Sequence, residues 1–529
     1  MKKIVLLTPA LALAGLLLTP FFTGVALSGE VQNADDEACP PVQAELDKYR
    51  YLRALSLDLR GKLPTPEELL ALEDLDDVPE SLIDQWLASP EFAARTARLH
   101  RALLWNNVTN VTLMAASSSF TVTSGLYYRR TPGTMYRGGT VPCNNEPVSY
   151  DANGQIKTTV ASDGTRREGY VMVNPYWAPT SSIKVCAFDA QEPLVSPTGT
   201  ACSTRDGLDD PLCGCGPNLR WCAYGTSQAA VAEGFAGDID RRVQDMVANN
   251  RSYLDLFSSR TAYVNGPTSY FYKHHTEFFA NVKFTPVSLD VSSLPNLDFT
   301  DKETYVPVTL PEGHAGILTS PGFLIRFQTN RARANRFYNA FLCQPFQPPT
   351  GGIPSSGDEV PTIDLQQRDG CNYCHTVLEP AGAYWGRWLE QGAGFLNAKD
   401  YTPFNSECQR CALTGQGCSD MCKRSYVIKA LTEEEDPWLG YFKPYEFRKD
   451  EHKDHVEQGP WMLVQLGTQD GRLPECVAKT AAHWLLGREL TTDESTWTDE
   501  LSYNFVRSGY KYRALVKAIV TSPSYRRVE

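Results

Sequence analysis

Apolar positions recur at helical spacing near both ends of the chain. From Asp47 to Leu59, the residues Tyr49, Leu52, Leu55 and Leu59 share one face of a 3.6-residue period, and Gly61 supplies a stop. Thr65-Pro66-Glu67-Glu68 joins a capping box to a proline at the first helical position, which predicts a helix start. A further helix is expected from Leu82 to Leu87, and Ser89-Pro90 opens another that runs through Phe92, Leu99 and Leu103. Between Ala229 and Phe257 the helical face is Phe235, Ile239, Val243 and Met246. Near the C-terminus, helices are expected over Cys476 to Leu486 with Gly487 beyond it, over Asp493 to Val506 stopping near Gly509, and over Tyr512 to Val520 before Ser522-Pro523. The stretch Leu82 to Phe92 has an echo in Leu515 to Tyr525, from shared ancestry or from convergent helix-stop chemistry.

The pattern breaks twice. From about Asn110 to Ser227, Gly, Pro, Ser, Thr and Asn are dense, and five Cys fall between Cys186 and Cys222. Short β-rich runs, Tyr170 to Val173 and Ile183 to Cys186, predict a few strands there. A second Cys-rich stretch spans Cys408 to Cys422. The expected fold is therefore mainly α, with irregular disulfide-rich insertions that carry a few short β-strands. Its segments are a helical domain at 42–109, an insertion at 110–227, a helical module at 228–310, a central domain at 311–396, an insertion at 397–457 and a helical domain at 458–529.

Composition adds a compartment. Met1-Lys2-Lys3 is basic, Ile4 to Leu27 is apolar, and small residues flank Ser28, so residues 1–28 read as a secretory signal. An uncleaved anchor is the other reading, against which Pro9 and Pro20 count. No Cys stands near the cleavage region, which argues against a lipoprotein, and no later run is long and apolar enough to span a membrane. Fifteen Cys fit an oxidising compartment, periplasmic or extracellular. The formal charge of −12 disfavours nucleic acid and anionic lipid as partners and suits a basic redox partner.

Within this frame one run carries chemistry. Cys371-Asn372-Tyr373-Cys374-His375 is a C-x-x-C-H sequence, the attachment signature of c-type haem. Shuffling 15 Cys and 8 His over 529 residues would yield it roughly 0.006 times. On that reading Cys371 and Cys374 would be the thioether positions and His375 the proximal iron ligand. The competing readings are a CxxC disulfide or half a zinc site. The run occurs once, so a di-haem peroxidase is excluded, and there is no Ser nucleophile elbow or phosphate-binding Gly loop. Setting the two haem thiols aside leaves thirteen Cys, so at least one cannot pair within the chain. Cys202, Cys213, Cys215 and Cys222 are expected in disulfides rather than on a metal. Two disulfides are likewise expected within Cys408, Cys411, Cys418 and Cys422, with zinc as the alternative. Cys343 and Cys476 are a further candidate pair.

With these segments in place, the chain resembles the planctomycete-type cytochrome c family, large exported bacterial proteins built from domains of unknown function around one CxxCH. Leu55-Ser56-Leu57-Asp58-Leu59-Arg60-Gly61 through Glu68, and Leu87-Ala88-Ser89-Pro90-Glu91-Phe92, are similar to its N-terminal helical domain. Tyr253-Leu254-x-Leu256 with Ala262 to Asn265 resembles a second module. Gly316 to Thr319, Asn335-Arg336-Phe337, Leu342-Cys343 and Pro348-Pro349 resemble the approach to the haem motif. Leu378-Glu379-Pro380-x-Gly382 resembles its D-P-x-G exit with Glu for Asp, and Leu485 to Arg488 with Ser522-Pro523-x-Tyr525 resembles the C-terminal domain. The Cys-rich insertions depart from the pattern and resemble myxobacterial versions. The resemblance implies one covalent haem c and electron transfer outside the cytoplasm, and it supplies no substrate.

Several details of that site are expectations. A ligating imidazole needs an acceptor on its other nitrogen, and the Pro380 carbonyl is the candidate. Leu378, Tyr384, Trp385 and Trp388 would wall the haem from water and so raise its reduction potential, pack the core, or do both. The distal-ligand candidates are Met462, His314 and His483, which would make the haem six-coordinate and low-spin. His274-His275 and His452/His455 sit in polar stretches, which predicts exposure. The expected function is single-electron transfer by an exported mono-haem cytochrome that depends on haem-attachment machinery. The alternatives are a haem-dependent oxidoreductase acting on an extracellular substrate and a disulfide-rich surface binding protein.

Overall fold

The structure, a computed structural model, describes residues 45–527 apart from 109–110, 124–126, 131–142, 348–349, 351–363 and 446–448. The expected leader at 1–28, Cys39 and Pro348-Pro349 lie outside the described residues. The fold is mainly α with short sheets and disulfide-tied insertions.

Local chemistry sets the helix limits. Lys48–Leu55 is capped by the Asp47 carboxylate and runs into a π-turn, Ser56–Arg60, that Gly61 ends at φ 72°. Thr65 and Glu68 close the capping box on Pro66–Leu70. Glu80–Leu87 follows, and the Ser89 hydroxyl accepts from the Phe92 N–H to start Pro90–Leu104. Ser522 does the same for the Tyr525 N–H, so the two echoed segments share their capping geometry.

The longest helix among the described residues, Gly225–Ala248, packs along Pro90–Leu104 and buries Phe235, Ile239, Val243 and Met246. The C-terminal helices Arg472–Leu486, Ser495–Arg507 and Tyr512–Val520 pack on one another, and Tyr512–Val520 returns to Glu80–Leu87. The Tyr51 hydroxyl donates to the Val520 carbonyl (2.8 Å), that of Tyr525 to Asp58 (2.6 Å), and Arg526 forks onto Asp77 (2.6 and 3.1 Å). At the centre of this junction, buried His100 donates from Nδ1 to the Thr96 carbonyl (2.9 Å) and accepts at Nε2 from the Tyr253 hydroxyl (2.8 Å). Tyr512 stacks on Tyr253 at 5.8 Å.

The first insertion holds a four-stranded sheet, ordered Phe120–Thr123, Tyr127–Arg130, Ile183–Cys186, Tyr170–Val173. The two strands read from sequence pair antiparallel, with Val171 opposite Val185. Disulfides Cys143–Cys186, Cys202–Cys213 and Cys215–Cys222 tie it, and a fully buried Arg130–Asp189 pair (3.0 Å) sits within it. Glu168 lies beside Cys143 and Cys186, but those sulfurs are bonded to each other and are not metal donors. The second insertion folds Ser406–Thr414 and Asp420–Ser425 into a clasp closed by Cys408–Cys422 and Cys411–Cys418. No helix among the described residues is long and apolar enough to cross a membrane.

The exposure expected for the histidine pairs is corrected. His275 and His452 are buried, and His274 and His455 are half-buried. Polar neighbours in sequence do not report the face of a helix that a distant segment covers. The His275 ring donates to the Arg220 carbonyl (2.8 Å), a residue 55 positions away.

Candidate functional site

The helix Asn372–Ala383 begins with Cys371 at its N-cap, which puts Cys374 and His375 in its first turn. Its rear face is buried in the core through Leu378, Ala381 and Ala383, and the helix runs directly into buried Tyr384 and Trp385. The Trp385 indole donates to the Leu318 carbonyl (2.9 Å), and Trp388 packs on His314 (4.8 Å). Leu378, Tyr384, Trp385 and Trp388 thus anchor the helix to the core, the packing role that the sequence left open. Two helices grip it. Gly382 passes close to Asn330 and Arg331 at the start of Asn330–Phe341, where a Cβ would already touch backbone at 3.4–3.5 Å. On another side lies Asp450–Gln458, whose His455 donates from Nδ1 to the Pro380 carbonyl (2.8 Å) and stacks on Tyr384 (4.1 Å).

That bond corrects the expectation for His375. The Pro380 carbonyl is taken by His455, and the acceptor for His375 Nδ1 is Glu379 Oε1 at 2.6 Å. Glu379 lies one turn on, so the pair follows from i,i+4 spacing on a helix, a signal present in the sequence and read only as part of the exit motif. The same carboxylate oxygen accepts from Arg331 Nε at 2.6 Å. A carboxylate only accepts, so Nδ1 carries the proton and the lone pair on Nε2 remains for a metal. The imidazole is 21% exposed, open enough to be approached.

Among the fourteen described cysteines, twelve form six disulfides, and the two free thiols are Cys371 and Cys374. Cys343–Cys476, expected only as a candidate pair, is one of the six. The free thiols are half-buried, and Cys374 Sγ points at the Gln347 carbonyl (3.8 Å). Beside them Tyr373 and Val377 leave apolar surface uncovered, at 68% and 39% exposure.

The distal candidates lie in different settings. Met462, on Pro460–Gln469, is half-buried against the main core. His314 is buried and engaged on both nitrogens, donating from Nε2 to the Ser288 carbonyl (3.0 Å) and meeting Thr319 Oγ1 at Nδ1 (3.3 Å). Burial pushes its pKa down to about 4. It acts there as a core residue with no nitrogen to spare. His483 is exposed, 3.3 Å from Glu489.

Residues 31–118 match a family model described as PSCyt2, a protein of unknown function (DUF1549). The N-terminal helical segment is thus similar to a domain of unknown function whose printed name is cytochrome-related. The match ends well before Cys371. No curated protein and no solved structure matches the chain.

Proposed function

We propose that this protein is an exported c-type cytochrome that carries one covalent haem on Cys371 and Cys374, with His375 as proximal ligand, and relays single electrons to a partner protein. The observation that carries the reading is the pairing state of the cysteines. Among the described Cys, twelve are in disulfides and only the CxxC thiols stay free, beside an imidazole whose Nδ1 is held by Glu379. The residues fit the group. Both thiols and the imidazole belong to one helical turn, and the uncovered Tyr373 and Val377 offer an apolar face for a macrocycle. Such a haem, when bound, supplies one reversible Fe(III)/Fe(II) couple. The chain's own residues would set its potential. Glu379 holds the proton on Nδ1 and strengthens Nε2 as a donor, while Arg331 partly neutralises that carboxylate. The disulfides agree with an oxidising compartment outside the cytoplasm, where haem is attached to such thiols, and the charge of −12 favours docking to a basic redox partner.

The test is expression in a periplasm equipped with haem-attachment machinery, read by a reduced pyridine haemochrome spectrum and by intact mass. One haem per chain is expected, and none in the Cys371→Ala/Cys374→Ala variant. A wild-type chain without haem and with Cys371 bonded to Cys374 would overturn the reading. Carbon monoxide added to the reduced protein then reports the far side of the iron, since a prompt spectral shift marks an open sixth position.

A further inference from the structure

Beyond the haem helix, the chain turns through Gly386–Gln391 and forms one wall of a cavity of about 600 Å³. Another part of the lining comes from the second Cys-rich insertion, residues 424–429, 431, 435 and 442–444. The volume lies within the roughly 300–1,000 Å³ usual for small-molecule sites. Three features set it apart from an ordinary surface cleft.

The first is charge. The chain carries −12 overall, yet the cavity is lined by Lys283, Arg424, Lys429 and Lys443 against Glu390 and Glu435. Both acids are already engaged by backbone: Glu390 accepts from the Asn330 N–H (2.8 Å) and Glu435 from the Leu431 N–H (2.8 Å). Arg424 pairs with Asp420 outside the lining (3.0 Å). Among the described residues no carboxylate pairs with Lys283 or Lys429. Cations left in this way favour an anionic occupant.

The second is an apolar body. Trp388, Leu389, Ile428, Leu431 and Pro444 share the lining with those cations, a mixture that suits a ligand with both a charge and a flat hydrophobic part.

The third is rigidity. The fully buried guanidinium of Arg333 donates to the carbonyls of Leu389 (2.8 Å) and Gly392 (3.0 Å), and so pins the turn behind the wall. Within that turn Gln391, an L-residue that lines the cavity, is held at φ 55°. Non-glycine residues keep that conformation only where the surroundings over-determine it, which is common at binding sites.

We infer that this cavity is a binding site for an organic anion with a flat apolar body, of which an aromatic carboxylate is the simplest form. The site stands whether or not haem is attached. One link to the candidate haem turn is Asn330, which lines the cavity and precedes Arg331, the partner of Glu379.

The experiment is isothermal titration of the full chain with 2-naphthoate and with its neutral isostere 2-naphthamide, repeated with indole-3-acetate. One-to-one binding of a carboxylate is expected, at least tenfold tighter than the amide and weakened by added salt. Lys283→Ala and Lys429→Ala should each weaken it several-fold, and the double variant at least tenfold, with unchanged thermal melting. Lys479→Ala, outside the cavity, should leave it as in the wild type. The proposal is overturned if neither carboxylate binds at millimolar concentration, if acid and amide bind alike, or if the double variant binds as the wild type does.

Discussion

At His375 the residue scale decides the chemistry. One carboxylate oxygen of Glu379 receives both the imidazole Nδ1–H and the Arg331 Nε–H. The two neighbours act in opposite senses on the same lone pair. A stronger acceptor at Nδ1 makes Nε2 a better donor and favours Fe(III), while a cation on that acceptor weakens the effect. For the haem-loaded protein, Glu379→Gln should raise the reduction potential and Arg331→Ala should lower it, each by roughly tens of millivolts. Spectroelectrochemical titration reads both. Shifts of the same sign in the two variants would exclude this arrangement. Haem attachment should survive either change, because neither residue is one of the two thiols or the ligand.

The helix Asn372–Ala383 is positioned by its neighbours more than by its own sequence. One of them, Asn330–Phe341, is fastened in turn to the C-terminal helix Arg472–Leu486 by Cys343–Cys476, which closes a sequence separation of 133 residues. Chain-entropy reasoning gives such a long loop about 5 kcal/mol, and measured losses run to about 2–5 kcal/mol. Cys343→Ser/Cys476→Ser should therefore lower the melting temperature by several degrees or more. Removing both partners avoids leaving a stray thiol to exchange. If melting were unchanged, the disulfide would not be what couples these two helices.

For the whole molecule, the consequence that can be measured is acid sensitivity. His100, His314 and His452 are buried, with pKa values pushed down to about 4, and His275 to about 3, each chiefly by desolvation. The groups facing them are few. His100 meets the Thr96 carbonyl and Tyr253, His275 meets the Arg220 carbonyl and His274, and His314 meets the Ser288 carbonyl with Arg242 and Arg260 nearby. His452 has Glu451, Lys449, His455 and Asp364 in range. In the unfolded chain each imidazole takes a proton near its ordinary pKa of about 6.5. Below that pH the unfolded state binds more protons, so stability is full above about 6.5 and falls as pH drops toward the folded-state values. The combined loss by pH 4 is on the order of several kcal/mol. Denaturant midpoints at pH 7.5, 6 and 4.5 should fall in that order. His100→Gln should flatten the dependence, as it removes one of the protons that drive it.

The sequence by itself determined the features that depend on near neighbours. Helix starts at Thr65-Pro66 and Ser89-Pro90, stops at Gly61 and Gly487, and the presence of strands at Tyr170–Val173 and Ile183–Cys186 follow from capping, glycine conformation and β-rich composition. That Cys202, Cys213, Cys215 and Cys222, and the four Cys from Cys408 to Cys422, form disulfides was legible from their crowding, while the pairings, and the Cys143–Cys186 bond across 43 residues, came from the fold. The two thiols and the histidine of the candidate site were legible because one helical turn holds them. Tertiary structure decided what depended on segments far apart in the chain. It gave the Pro380 carbonyl to His455, 75 residues on, and so left His375 to Glu379. It buried His275 and His452 on faces that their polar neighbours in sequence concealed. It also joined Arg331 to Glu379 across 48 residues, because a side chain's partner is fixed by which helices pack together, and no local pattern encodes that.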